Sequence, residues 1–248
     1  MIVLLPPSET KRGGGDGPAL SLDSLSFAQL RPVRAELVDE LVALAADPVT
    51  SRTVLGLSPS QDSEIERNAA LLTAPTMPAL HRYTGVLYDA LDVPSLRGAA
   101  AARAAERLMV VSALFGVVRA DDPIPAYRLS AGSKLPGQPT LASRWKPVLE
   151  PVLADLANTD VIVDLRSGSY ANLGRVAGAV TVDVVAERDD GHRSVVSHFN
   201  KAHKGRLARA LVASRSDPAD AAAVAGVARR AGMRVERSGD HLTVVVAA

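Results

Sequence analysis

The sequence predicts one α+β domain over residues 1–248, a mixed β-sheet with surrounding helices. Short Val- and Leu-rich runs recur as candidate core strands, at Ile2–Leu5, Leu108–Ser112 and Val161–Leu165. Between them lie stretches with apolar residues at three- and four-residue steps, the period of amphipathic helices. No internal repeat and no linker-like stretch divides the chain, so a single core is expected.

In chain order, Ile2–Leu5 reads as a buried strand stopped by Pro6-Pro7 and followed by the polar segment Ser8-Glu9-Thr10-Lys11, then the glycine-rich Gly13–Gly17. The GxxxxGK[ST] spacing of a phosphate-binding P-loop is missing. Val33–Ala46 carries Val33, Leu37, Leu41 and Leu44 on one helical face. Ser60–Glu64 offers capping-box chemistry for a second helix ending near Thr73. Pro75 and Pro78 predict irregular chain, and Tyr83–Tyr88 around Gly85 reads as a core turn or a close backbone approach. Ser95–Arg107 is an alanine-rich helix leading into Leu108–Val118. That apolar run is a core element, too short for the roughly 18 or more residues of a membrane span. The chain then emerges through Asp121, Asp122, Pro123 and Pro125 to Tyr127-Arg128.

Ala142–Ala157 is predicted helical, kinked or divided at Pro147 and Pro151. Val161–Leu165 runs into Arg166-Ser167-Gly168-Ser169-Tyr170. Ala179–Ala186 and Ser194–Ser197 flank Arg188–His192 as a hairpin. Helices are expected over Asn200–Arg215 and Pro218–Ala231. Met233–Arg237 and His241–Val246 form a last hairpin around Ser238-Gly239-Asp240.

The composition excludes several chemistries. Hydrophobic residues make up 47% but aromatics only 3%, so Ala, Val and Leu do the packing. Cysteine is absent, which removes disulfides, a thiolate nucleophile and cysteine-ligated zinc or iron–sulfur clusters. A formal net charge of +1 is neutral on nucleic acid, because clustering of cations decides that question. The first residues lack a basic start and a long apolar run, so a cytoplasmic protein without a membrane partner is expected. No cofactor is indicated. His198 and His203 lie five apart, about 140° around a helix, which defeats i,i+4 metal pairing.

Polar segments that leave apolar strands are usual site positions. Three do so here: Ser8, Thr10 and Lys11; Arg119, Tyr127 and Arg128; Arg166, Ser167, Ser169 and Tyr170. A fourth, Ser197–Arg206, opens a helix and contributes Asn200, Lys201 and Lys204. Lys201, Lys204, Ala208 and Leu211 share one stripe. With its apolar end on the core, both lysines are expected to project into a groove, where an anion would offset their repulsion by the helix dipole.

Ser112–Arg119, Ser-Ala-Leu-Phe-Gly-Val-Val-Arg, followed by Pro-Ala-Tyr-Arg-Leu at Pro125–Leu129, resembles the central signature of the YaaA family of bacterial peroxide-stress proteins. Leu4–Lys11, Tyr83–Leu91, Ile162–Leu173 and Ser197–Leu211 resemble that family in the same order. The resemblance implies a fold described as cantaloupe-like, survival of hydrogen peroxide through lowered free iron, and non-specific binding of double-stranded DNA in a basic cleft. It also implies a helix-hairpin-helix element, which grips backbone phosphates without reading sequence. The nearest match here is the helix ending at Arg107 with its following turn, which lacks the Gly-hydrophobic-Gly hairpin. The leading expectation is thus a cytosolic oxidative-stress protein whose basic cleft shields DNA. The alternative is an enzyme acting on a nucleotide or nucleobase, with Lys11 or Lys204 as the charged catalytic group and Arg128 as an anion clamp. An iron-sequestering protein is disfavoured by the missing cysteines and ligand pairs.

Overall fold

The computed structural model describes residues 1–195 and 200–247. Its strands are β1 (Ile2–Leu5), β2 (Met77–Pro78), β3 (Leu108–Ser112), β4 (Gly116–Arg119), β5 (Pro123–Ile124), β6 (Ile162–Asp164), β7 (Val180–Glu187), β8 (Arg193–Val195), β9 (Arg234–Ser238) and β10 (His241–Ala247). Its helices are α1 (Arg31–Leu44), α2 (Pro48–Leu55), α3 (Asp62–Ala69), α4 (Ala79–Arg82), α5 (Val86–Leu91), α6 (Gly98–Arg107), α7 (Leu141–Thr159), α8 (Gly168–Ala171), α9 (Asn200–Ala213) and α10 (Ala221–Arg230).

One mixed sheet dominates the α+β fold. Its order is β4-β3-β1-β6-β7-β10-β9, with β8 pairing β7. β3, β1, β6, β7 and β10 run parallel, whereas β4, β8 and β9 are antiparallel to their neighbours. Parallel strands covered on both faces read as unbroken apolar runs, which is how Ile2–Leu5 and Leu108–Ser112 are written and why both are wholly buried. From β1 the chain goes to its neighbour β3, then returns on the other side to β6 before moving out to β7 and β10. The strand order therefore reverses at β1 and β6, and in open sheets ligands bind outside the carboxyl ends of strands at such a switch point. Ser8–Lys11 and Arg166–Tyr170 leave the sheet there.

The run Leu108–Val118 is two strands, not one element. β3 and β4 pair from Met109 with Arg119 to Ser112 with Gly116, and the Ala113-Leu114-Phe115 turn between them is fully buried. A buried turn leaves carbonyls that need donors. Arg34 supplies them to Phe115 (2.9 Å) and Val117 (2.8 Å), and the Trp145 indole N–H supplies Ala113 (2.8 Å).

Other expectations shift. α1 starts two residues before the expected Val33. α2 was not foreseen, although Asp47 caps it by accepting from the Val49 and Thr50 amides, with Pro48 in its first turn. The capping box is closed by Ser58 and Gln61 on the 3-10 turn Pro59–Gln61, not by Ser60 and Glu64, and α3 stops at Ala69 rather than near Thr73. The chain around Pro78 and Gly85 is ordered into α4 and α5, with β2 pairing β5. α7 is continuous through Pro147 and Pro151. Those prolines lie four apart on its exposed face, where carbonyls without an intrahelical donor can meet water. Both hairpins form, β7–β8 and β9–β10, although Val196 and Ser197 of the expected first return strand lie outside the described residues. α6 passes directly into β3, so the segment after Arg107 is a strand and not the second arm of a helix-hairpin-helix.

Candidate functional site

Lys11 is placed by α5 and by the chain that leads into it. Tyr88 donates from its hydroxyl to the Pro6 carbonyl (2.8 Å), holding the exit of β1. Lys11 forms an antiparallel bridge with Tyr83, and the Arg12 amide donates to the Arg82 carbonyl (2.8 Å). Gly85, at φ +97°, lets this backbone lie against Ser8 and Thr10; a Cβ there would stand 3.3 Å from both hydroxyl oxygens. Lys11 is 7% exposed. Its Nζ donates to the Ser8 carbonyl (2.9 Å) and lies 4.1 Å from the Tyr127 ring centroid and 5.5 Å from that of Tyr83.

The walls around Lys11 are aromatic. The Tyr83 and Tyr127 hydroxyls are 2.8 Å apart, Tyr83 stacks on Tyr88, and Phe115 meets Tyr127 edge-on. Burial pushes Tyr83 up to about 12 and Tyr127 well above the usual phenol range, so both phenols stay neutral. Burial is also the main cause that lowers Lys11 to about 7. Glu9 opposes the shift, Arg128 adds to it, and Glu64 and Arg67 act more weakly in opposite senses. The ring faces favour the ammonium, but desolvation outweighs them.

Arg128 is set by α3. Asn68, 1% exposed, donates from Nδ2 to the Arg128 carbonyl (2.9 Å) and accepts the Arg128 amide on Oδ1 (2.8 Å). The guanidinium reaches Glu9 at 3.4 Å, while its Nε is buried with no partner among the described residues. The same holds for Oε2 of Glu64, whose Oε1 accepts from Arg67 (2.6 Å). Asn68, Glu64 and Arg67 were not among the expected site residues.

At the end of β6 the cations divide. Arg166 is committed to the protein, with Nε and NH2 on Asp164 (2.8 and 2.7 Å) and NH1 on the Gly174 carbonyl (2.9 Å). It shapes the loop rather than facing a ligand. Its carbonyl accepts from Lys204 Nζ (3.3 Å). Lys204 is 8% exposed, and burial lowers its pKa against the pull of Asp183 and Asp164. Ser167 and Ser169 are exposed with hydroxyls 3.2 Å apart. Tyr170 is buried, and that burial raises its pKa with the Glu9 charge adding to the shift; the pairing of β1 with β6 sets this loop beside the first one. Asn200 has a buried Oδ1 with no partner among the described residues.

Two expected residues are elsewhere. Arg119 pairs with Met109 near the amino end of β3, and its guanidinium lies over Phe27, 5.5 Å from the ring centroid; the antiparallel return of β4 carries it away from the carboxyl edge. Lys201 does not share the buried stripe of Lys204, Ala208 and Leu211 but is exposed on the first turn of α9. Ser197 and His198 lie outside the described residues. The carboxyl ends of β1 and β6 thus carry Ser8, Thr10 and Lys11 on one loop and Arg166, Ser167, Ser169 and Tyr170 on the other, with Tyr127 against Lys11, Arg128 on Glu9 and Lys204 on the Arg166 carbonyl. Chemically they offer a lysine poised near neutrality, an arginine with an unfilled donor, and carboxylates at Glu9 and Glu64.

The family model of peroxide stress protein YaaA matches residues 1–232. A UPF0246 protein of Corynebacterium glutamicum is 47% identical over 253 residues, covering 99% of this chain and all of that protein. The Corynebacterium efficiens counterpart is 51% identical, covering 95% of each chain. That of Streptomyces coelicolor is 45% identical, covering 95% of this chain and 92% of its own.

Proposed function

The chain belongs to the peroxide stress protein YaaA family, and we propose that it serves its peroxide-stress role as an enzyme acting on a nucleotide or nucleobase. The observation that carries this reading is the burial of Lys11 and Lys204 at the carboxyl edge of the sheet, 7% and 8% exposed. A surface that grips duplex phosphates works by presenting solvated cations and releasing counterions. These two lysines sit beneath the surface, where they meet a group small enough to enter. A lysine held near neutrality can also exchange a proton at physiological pH. In this reading Arg128 holds an anionic part of the ligand, and Lys11 handles the proton or the reacting atom. Glu9 and Glu64 are the proton acceptors beside it.

A thermal-shift screen with nucleoside phosphates and free nucleobases tests it. A ligand at about 100 times its Kd adds about 2.7 kcal/mol, a rise of about 5 °C or more in Tm for a chain of this size. That rise is expected in the wild type and absent in Arg128→Ala. DNA binding is measured alongside over a salt series. Duplex affinity that falls with log salt and is lost in a Lys201→Ala/Arg206→Ala variant, with no nucleotide raising Tm, would replace this reading by DNA shielding at the exposed face of α9.

A further inference from the structure

We infer that Lys11 forms a covalent imine with an aldehyde or ketone that carries a phosphate or carboxylate. This rests on the small-molecule reading above; an intact nucleotide or nucleobase has no aldehyde or ketone, so the reacting part is the open-chain sugar carbonyl freed where an N-glycosidic bond has been cleaved. Three independent features of one place support it. Lys11 Nζ is buried against the Tyr127 and Tyr83 rings, has the Ser8 carbonyl as its acceptor, and pairs with no carboxylate within salt-bridge distance among the described residues. A neutral amine there gives one N–H to Ser8 and keeps its lone pair. Arg128, whose charge acts on Lys11, has a buried Nε without a partner among the described residues. Glu64, also felt by Lys11, has a buried carboxylate oxygen in the same condition. A desolvated lysine beside a second cation is how proteins prepare an amine for carbonyl attack.

The step balances without an oxidant or reductant. The Nζ lone pair bonds to the carbonyl carbon, the C=O pair moves to oxygen, and that oxygen takes a proton while the new ammonium gives one up. The carbinolamine then loses its hydroxyl with a second proton as water, and the nitrogen lone pair closes the C=N bond. Glu64 and Glu9, the carboxylates whose charge acts on Lys11, exchange these protons through an intervening water, and Arg128 holds the anionic tail.

The test is trapping with cyanoborohydride followed by peptide mapping of the whole protein. The probes are ribose 5-phosphate and glyoxylate, with acetaldehyde as the uncharged comparison. The exposed lysines Lys134, Lys146 and Lys201 are the internal controls. Lys11 is expected to carry at least about tenfold more adduct than any of them at neutral pH, because burial sets its free-amine fraction. The groups facing it are Glu9, Arg128, Glu64, Arg67, Tyr83 and Tyr127, and with them labelling should rise through about pH 7. Arg128→Gln should remove the preference for the anionic probes over acetaldehyde. Labelling ordered by exposure, a silent Lys11, or acetaldehyde reacting at Lys11 as well as glyoxylate does in the wild type would overturn the inference.

A duplex containing an abasic site, whose sugar is an aldehyde between phosphates, separates the sources. An adduct with the duplex alone assigns the carbonyl to DNA, and one with ribose 5-phosphate alone assigns it to a free sugar phosphate; either sustains the imine. Nucleotides that raise Tm while Lys11 stays unlabelled refute the imine and leave the nucleotide site standing. A Lys11 adduct without any nucleotide response does the reverse.

Discussion

Lys11 works against the fold that holds it. Below about pH 7 the amine is protonated in both folded and unfolded chains, and folding bears the full desolvation penalty. Between about 7 and the usual lysine value of 10.5 the unfolded chain binds more protons than the folded one, so stability rises with pH in that window. Lys11→Met should therefore be more stable than wild type at pH 6, by on the order of a few kcal/mol, with the advantage shrinking from pH 7 to 10. Urea unfolding over that range measures it, and a difference that stays flat with pH would show that the gain has another origin. Arg128 depends on a neighbour in the same way. Asn68→Ala strips the Arg128 amide and carbonyl of their partners, at a cost of about 1–3 kcal/mol. It should also abolish nucleotide stabilisation, although Asn68 itself bonds main chain rather than ligand.

At the scale of elements, the site is assembled by a close helix crossing. Gly205 on α9 lies against α5 so tightly that a Cβ would stand 2.2 Å from the Leu87 carbonyl oxygen and 2.9 Å from the Ala90 methyl. Backbone cannot yield as a side chain does, so Gly205→Ala must push the helices apart. The expected loss is about 1–3 kcal/mol or more, read as a lower Tm. α5 carries Tyr88, which holds the end of β1, and α9 carries Lys204, which holds the Arg166 carbonyl. Separating them should weaken the ligand response beyond what the fall in stability explains. A Gly205→Ala protein with full ligand response at low temperature would mean that the loops position themselves without the crossing.

For the whole molecule, β10 is an interior member of the sheet although it lies beyond the residues matched by the family model. It pairs with β7 from His241 with Thr181 to Ala247 with Glu187, and with β9 on its other side. Ending the chain after Gly232 would expose the β7 edge and uncover Val182 and Val184. An unpaired apolar edge of that length is a template for aggregation. Size-exclusion chromatography and circular dichroism of the truncated chain should show aggregates with reduced strand content, whereas a folded monomer would mean that β1, β3, β6 and β7 suffice.

Much of this architecture was legible from neighbours in the chain. β1, β3 and β6, both hairpins and the later helices follow from apolar runs, turn residues and three-to-four spacing, all of which act within a few residues. Lys11, Tyr127 and Arg128 stood out for a local reason too, as polar residues where apolar elements end, and Lys204 as a cation in the opening turns of a helix. What a cation does once folded was not legible. Arg166 and Lys11 both follow core strands, yet Asp164 and nearby carbonyls absorb the first, while burial among tyrosines leaves the second without an anionic partner among the described residues. Lys201 and Lys204 are three apart on one helix and end on opposite sides of the surface. The turn hidden in Leu108–Val118 needs Arg34 and Trp145, 81 and 32 residues from the carbonyls they satisfy, and Asn68 is 60 residues from Arg128. Hydrogen bonding and desolvation act over a few ångströms of space rather than of sequence, so only the tertiary structure decided which charges are spent on the fold and which remain for chemistry.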